Sequence, residues 1–489
     1  MEELSIKTIK DVNGNMYVLD SILGQGGQGM VCKTKDSTIA VKFVLKNEQI
    51  LTDEKYYEIY KNKINDVVVM NIDSDINLCH PYTMLEKPYC GYVMHMLSDL
   101  KPISNLIYDQ NIDGNLNDYF RNTNGLKKRI EVLIELSRTL ARLHSKGIVY
   151  CDISPNNVFY SDIDNFSKVW IIDCDNLKYT GDVKSGIFTP GFGAPEVASN
   201  QSSNTIFSDC FSFAVLAFRV LTFRNPFEVN YEEESSSDGW DASTNTNNSG
   251  DAISNNNIPW LFENGVTDEL KEYFNHFLTK ELLSLFNQTF GKDGRNIPTS
   301  RPSMREWYSV LKELSLKLNL CECGAFIYAG EKICPFCNKG PRFTYYGTMM
   351  NYYPKSVDAI GDVKSQLNND DYDDLDFINE VVDKKISPNY EKLYNFTIYD
   401  NCRIYNYSVN QISIYEVPYT LIEFRINNSY LFINNKSSKN ISYIYKGEKG
   451  TLLSGDNMHI SGKDAMYLYI NDPDSKIIHC IMIKGIWEN

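Results

Sequence analysis

Asp152 and Asn157 stand five residues apart in Tyr150-Cys151-Asp152-Ile153-Ser154-Pro155-Asn156-Asn157. A carboxylate and an amide so placed, with Pro155 between them and a long helical stretch before them, are side chains able to do chemistry. Another carboxylate follows at Asp173, in Trp170-Ile171-Ile172-Asp173-Cys174-Asp175. Far upstream, Gly24-Gln25-Gly26-Gly27-Gln28-Gly29 offers a backbone that a polyanion can approach closely. Downstream of it Ile39-Ala40-Val41-Lys42 places a cation among apolar residues. Taken alone, a strand lysine more often faces solvent. Next to a glycine-rich hairpin, a lysine that neutralises phosphate is the better account.

A separate chemistry belongs to cysteine. Of twelve cysteines, Cys321, Cys323, Cys334 and Cys337 fall within 17 residues, as Cys-x-Cys and Cys-x-x-Cys pairs on either side of a hairpin-length segment. Four thiolates so spaced suit a closed, structural Zn²⁺ site. The alternative is four buried or redox-active thiols. The six dispersed histidines show no ligand or triad spacing, and His144, at the end of a long helix, reads as a packing or capping residue.

Several elements must position these groups. Val18–Leu23, Thr38–Leu45 and Tyr92–Leu97 are short β-rich runs, and Leu51–Ile64 has helical spacing. The glycine loop joins strand to strand, which excludes the dinucleotide fingerprint and the Walker loop, since each of those opens a helix. Ile130, Leu133, Ile134, Leu136, Leu140 and Leu143 form one face of a long helix that Gly147 stops. Phe207–Leu221 is apolar almost all round and predicts a buried helix. Residues 228–258 are rich in Ser, Asn and Asp and predict a mobile surface insertion. From about 391 β-branched and aromatic residues alternate between turn signals, which predicts a small all-β sandwich or barrel.

Composition bounds the function. The 489 residues carry 48 Lys and Arg against 63 Asp and Glu, a net charge of −15, and are 43% hydrophobic. That supplies a sizeable core and disfavours nucleic acid or an anionic membrane as partner. No run of 18 apolar residues predicts a membrane span. The opening MEELSIKTIKD has no apolar stretch, and the unpaired spacing of the remaining cysteines fits a reducing compartment, so the expected location is cytoplasmic.

In order, these pieces continue with Thr189-Pro190-Gly191-Phe192-Gly193-Ala194-Pro195-Glu196, Ser208-Asp209 and Arg301-Pro302. Over residues 15–315 the series resembles the eukaryotic-like serine/threonine protein kinases. The resemblance implies an α+β, two-lobed fold with an N-lobe at 1–97 and a C-lobe at 98–318. A zinc-ribbon-like module at 319–342, an acidic linker at 343–390 and a β-rich domain at 391–489 would follow. It further implies that Gly24, Gly26 and Gly29 cover the ATP phosphates and that Lys42 holds the α/β-phosphates. Val31, Ala40, Met94 and Met96 would enclose adenine, with Met94–Leu97 as the hinge. Glu58, or failing it Glu54, would fix Lys42. Asp152 would accept the acceptor proton, while Asn157 and Asp173 would bind Mg²⁺. Glu196–Arg301 would be a buried ion pair, and Asp209 would brace the catalytic loop.

Departures from the pattern sharpen the expectation. Tyr150-Cys151 replaces His-Arg, removing the arginine that commonly senses a phosphorylated activation segment. Cys174-Asp175 replaces Phe-Gly, and Ser154 stands where a lysine is usual. The combination with the cysteine pairs is similar to bacterial kinases, some encoded beside a protein phosphatase, which makes a cognate phosphatase and a protein substrate the implied partners. The alternative is a nucleotide-binding pseudokinase or scaffold without turnover.

Overall fold

The computed structural model describes residues 6–26, 29–96, 98–109, 113–161, 168–181, 186–228, 258–263, 266, 274–328, 331–340, 345–352, 390–409, 414–428, 430–470 and 478–485. The chain divides into two compact units, Met1–Leu116 with Glu131–Val310, and Asn117–Ile130 with Leu311–Asn489.

The first unit begins with a seven-stranded antiparallel sheet. Its strands are β1 (Thr8–Lys10), β2 (Met16–Gly26), β3 (Gly29–Thr34), β4 (Ile39–Lys46), β5 (Gln49–Ile50), β6 (Thr83–Met84) and β7 (Gly91–His95), in the order β1-β2-β3-β4-β7-β6 with β5 beside β4. All three predicted strands fall here. The predicted helix is α1 (Glu54–Val68). Its start is fixed by Asp53, whose carboxylate accepts from the Tyr56 N–H at 3.0 Å, so the expected beginning at Leu51 moves three residues on.

The helical part of this unit rests on two helices. Along α3 (Gly125–Ser145), which belongs to this unit from Glu131 on, the six apolar residues expected on one face are all fully buried, and Gly147 ends the turn at φ +71°. (The short helix Leu116–Asn122 before it is α2.) Helix α4 (Ile206–Thr222) opens on a reciprocal cap between Thr205 and Ser208 and is buried almost all round. Phe218 meets Phe286 edge-on at 5.2 Å, and Phe213 meets Trp307 at 5.4 Å. Each such ring removes enough apolar surface from water to contribute about 1.5–3 kcal/mol. Of the insertion expected at 228–258, residues 229–257 lie outside the described residues.

In the second unit, two antiparallel sheets pack face to face. Six strands run 390–398, 345–352, 478–485, 466–470, 441–445 and 448–452 in spatial order, and four run 403–405, 420–427, 430–435 and 457–460. Tyr345, Met349, Phe396 and Ile481 from the first sheet share a core with Ile422, Phe424 and Ile433 from the second, so the architecture is a sandwich. Part of the expected linker is corrected here. Tyr345–Tyr352 is a central strand paired on both sides, with Tyr345↔Ile398 and Tyr345↔Gly485 at one end. Its burial alternates poorly because Thr348, Met349 and Met350 are all inside. The remainder of the linker, 353–389, lies outside the described residues.

Candidate active site

Strand register assembles one wall of a cleft. Gly24 lies opposite Val31, Val31 opposite Lys42, and Lys42 opposite Tyr92, while Ala40 lies opposite Met94. Residues opposite one another, or two apart, share a face, so Val31, Ala40, Lys42, Tyr92 and Met94 point the same way. Val31, Ala40, Met94 and Met96 do come together, in an apolar cluster that Trp170 and Ile172 join from the other side. At Gly24 and Gly26 an added Cβ would meet nothing within 4 Å, leaving open backbone above that wall. Gly29 differs, because a Cβ there would lie 2.9 Å from Lys42 Cε. A side chain at 29 would push the lysine stem aside and crowd Phe43 O at 3.2 Å, so glycine leaves that stem its room. Gly27, Gln28 and Leu97 lie outside the described residues.

The opposite wall is the loop that carries Asp152 and Asn157. Asp209, 1% exposed, accepts from the backbone N–H of Tyr150 at 2.7 Å and of Cys151 at 3.0 Å. His144 Nε2 adds a contact of 3.1 Å to the same carboxylate, giving the expected packing histidine a definite partner. This brace holds Cys151 at φ +80°, a conformation unfavourable for a side-chain-bearing residue. Tyr150 is wholly buried and donates its hydroxyl to Ile172 O at 2.5 Å. The Ile172 N–H in turn donates to Asn157 O at 2.9 Å, which sets Asn157 beside Asp173. Asn157 Nδ2 donates to Asp152 O and Oδ2, both at 2.9 Å. The remaining oxygen, Oδ1, accepts the Thr189 hydroxyl at 2.6 Å. Asp152 and Asn157 are thus bonded to one another, Asn157 is tied through its backbone to the residue before Asp173, and a protein hydroxyl already sits on Asp152.

Lys42 spans the two walls. Its Nζ pairs with Asp173 and lies 3.5 Å from Asp175 Oδ1. Burial works against the charge on Lys42, but Asp175 and Asp173 outweigh it and hold the ammonium above its usual range. At Asp175 burial opposes ionisation, and Lys42 and Lys63 overcome it, so this carboxyl titrates below the usual range.

The expected partner of Lys42 is corrected. Glu58 and its alternative Glu54 both pair with Lys87, at 2.8 and 3.0 Å, on the outer face of α1. The Asp53 cap sets the helical phase. Tyr57, Ile64 and Val67 then face inward, and the two glutamates, four apart, share the exposed side. Tyr60, Lys63 and Asp175 escape a reading of motifs. The signal for Tyr60 lay in the 57-60-64-67 stripe; Asp175 carries none until its neighbours are known.

Behind this site Arg301, fully buried, makes a bidentate pair with Glu196, both bonds 2.8 Å, and also donates to Gly294 O and Phe207 O. Glu196→Gln leaves a buried guanidinium short of its counter-charge. The expected loss is about 3–5 kcal/mol, read as a melting temperature lower by roughly 10 °C.

The four clustered cysteines meet in the second unit. Their sulfurs all lie within 4.8 Å of one another, with Cys321–Cys337 at 3.6 Å and Cys323–Cys334 at 3.8 Å. Those separations are far too long for disulfides. Metal–sulfur bonds of ~2.3 Å in a tetrahedron need edges near 3.8 Å. Each pair sits on a tight turn closed by a left-handed residue, Gly324 at φ +87° and Asn338 at φ +56°. The turn ending in Gly324, closed by its N–H on Cys321 O at 2.9 Å, lets two ligands one residue apart face the same point.

A sequence model of the family described as "Protein kinase domain" matches residues 17–309, more than half of the chain. The chain belongs to the protein kinase family. This kinase is 30% identical over 130 residues to "Probable serine/threonine-protein kinase gdt4" of Dictyostelium discoideum, covering 25% of this chain and 8% of that protein. It is 31% identical over 109 residues to "Serine/threonine-protein kinase pkn2" of Myxococcus xanthus, covering 21% and 13%. To human "Protein kinase C delta type" it is 25% identical over 229 residues, covering 45% and 31%. The kinase therefore spans less than a third of the length of each of these relatives. Among its described residues, no helix is long and apolar enough to cross a membrane.

Proposed function

We propose that the chain is an ATP-dependent serine/threonine protein kinase, acting on protein hydroxyls including its own, in a bacterial-type signalling or defence response. The observation that carries this reading is the Thr189 hydroxyl 2.6 Å from Asp152 Oδ1, the contact an acceptor hydroxyl needs for proton transfer. In the reaction the acceptor oxygen forms a bond to the γ-phosphorus as the bond to the β-phosphate bridge oxygen breaks. Asp152 takes the hydroxyl proton, and ADP leaves with the electron pair. Lys42 holds the α/β-phosphates, the open backbone at Gly24 and Gly26 lies over them, and the Val31–Ala40–Met94–Met96 cluster encloses the base. Asn157 and Asp173 suit Mg²⁺ by the chemistry of their donors, an amide oxygen and a carboxylate, the latter 38% exposed, on segments joined by the Ile172 N–H to Asn157 O bond. Bound there, the ion would neutralise charge on the phosphate oxygens.

The four-cysteine cluster is assigned structural Zn²⁺, since all four positions are protein thiols and none is left for substrate. A cognate phosphatase is the partner that would reset such a system. The test is incubation of the full chain with γ-labelled Mg-ATP and mapping of the product by mass spectrometry. Phosphoserine or phosphothreonine is expected. Label confined to a small molecule, or none, contradicts the proposal.

Control by phosphorylation of the activation segment needs a cation just before Asp152. That position is Cys151, 2% exposed, its thiol directed to Val149 O at 3.8 Å. Phosphatase-treated protein should therefore keep its activity within about twofold of untreated protein. A loss of nearly all activity would show that phosphate on Thr180, Ser185 or Thr189 is needed after all.

A further inference from the structure

In the ion pair that the family uses to fix its phosphate-binding lysine, the carboxylate belongs to the helix. Here the helix supplies the cation. Lys63 Nζ, on α1, lies 3.1 Å from Asp175 Oδ2 and 2.7 Å from Asn176 Oδ1. Tyr60, one turn earlier, donates its hydroxyl to the same Asp175 oxygen at 3.0 Å. The other oxygen, Oδ1, faces Lys42 at 3.5 Å. The Asp175 side chain is 9% exposed and that of Lys42 is 10%, so solvent screens this chain of charges little. Asp175 stands two residues after Asp173, on the short turn Cys174–Asn176 whose Cys174 is fully buried.

We infer that Asp175, held by Lys63 and Tyr60, is the positioning residue for Lys42, replacing the helix glutamate with a carboxylate carried by the metal-binding turn itself. This rests on the proposed role of Lys42 in holding phosphate. One consequence follows from connectivity. In the usual arrangement the lysine and the metal carboxylate are set by separate elements, and displacing the helix disengages the lysine. Here one turn orients both Lys42 and Asp173, and the polar contacts of Lys63 and Tyr60 of α1 toward Lys42 run through that turn. A clamp assembled this way agrees with the lack of a phosphate-sensing arginine before Asp152. It also accounts for the Asp-Cys-Asp departure, because glycine at 175 could not provide the carboxylate.

The test is a charge transplant in the full chain, measured as label transfer over a range of Mg-ATP concentrations beside wild type and Lys42→Met. Asp175→Asn is expected to lower kcat/KM for ATP on the order of 10²-fold. Asp175→Asn combined with Lys63→Glu returns a carboxylate to the helix and should recover about tenfold or more over Asp175→Asn alone. A purely structural role for Asp175 predicts no such recovery, because the double variant lacks both original partners. If the double variant melts early, Asp175→Glu decides the matter. It should retain well over a tenth of wild-type activity, and a loss equal to that of Asp175→Asn would overturn the inference. So would an Asp175→Asn enzyme within about twofold of wild type, or a folded double variant no better than the single one. Lys42→Met separates the two levels. If it stays active, the role of Lys42 fails and the inference with it; if it is dead while Asp175→Asn is active, only the inference fails.

Discussion

Replacing Asp152 by asparagine is expected to lower phosphoryl transfer by roughly 10²–10⁴-fold while leaving ATP affinity within about twofold. The two effects separate because, in the proposed role, Asp152 meets the acceptor hydroxyl and not the nucleotide. Its Oδ1 accepts the Thr189 hydroxyl, its Oδ2 and carbonyl accept from Asn157, and neither oxygen pairs with Lys42. Asparagine keeps the shape and one acceptor oxygen, so the loop held by Asp209 should fold as before. The amide has no basic oxygen to take the proton. Steady-state kinetics combined with calorimetric ATP titration reads both effects. A variant that loses nucleotide binding as well as turnover would place Asp152 in the wrong half of the site.

Removing the zinc proposed for the cysteine cluster should have the largest effect on stability. Structural zinc contributes on the order of 10–16 kcal/mol of binding free energy, which in so small a module is folding free energy. The described core of the module is slight: Ala325, Ile327, Cys321 and Cys334 are buried, with Phe336 packed against them. Phe336 stacks on Phe120 at 4.9 Å, Lys127 lies over the Phe326 ring at 5.3 Å, and the Thr397 hydroxyl donates to Leu318 O at 3.1 Å. The purified chain should therefore carry one zinc by atomic emission. A strong chelator, or Cys334→Ser, should expose 318–340 to limited proteolysis while the sandwich stays resistant. A metal-free chain with an intact, protease-resistant module would contradict the assignment.

Much of the site was legible because its parts are local. Asp152 and Asn157, or Cys334 and Cys337, are fixed relative to one another by a few backbone angles, so spacing alone carries the chemistry. Gly24, Val31, Ala40, Lys42 and Met94 became one surface through strand alternation, which has a fixed period of two. The misreading of Glu58 shows where such reasoning stops. A helix repeats every 3.6 residues, and moving its start by a few residues rotates a glutamate from one face to another. The Asp53 side chain decided that start. Asp175 was opaque for another reason: Tyr60 and Lys63, which give it meaning, lie more than a hundred residues away. The strand Tyr345–Tyr352 was hidden similarly, its partner Ile478–Gly485 lying far along the chain and an acidic stretch beginning about 17 residues after it.

The central claim is that this kinase turns over, with Asp152 as its base. The most direct measurement places wild type and Asp152→Asn side by side with γ-labelled Mg-ATP and follows label on protein over time, with nucleotide binding measured on the same samples. The account predicts label on serine or threonine in the wild type, almost none in the variant, and equal ATP binding in both. Equal ATP binding with no label on protein in either sample would contradict it and leave a nucleotide-binding scaffold.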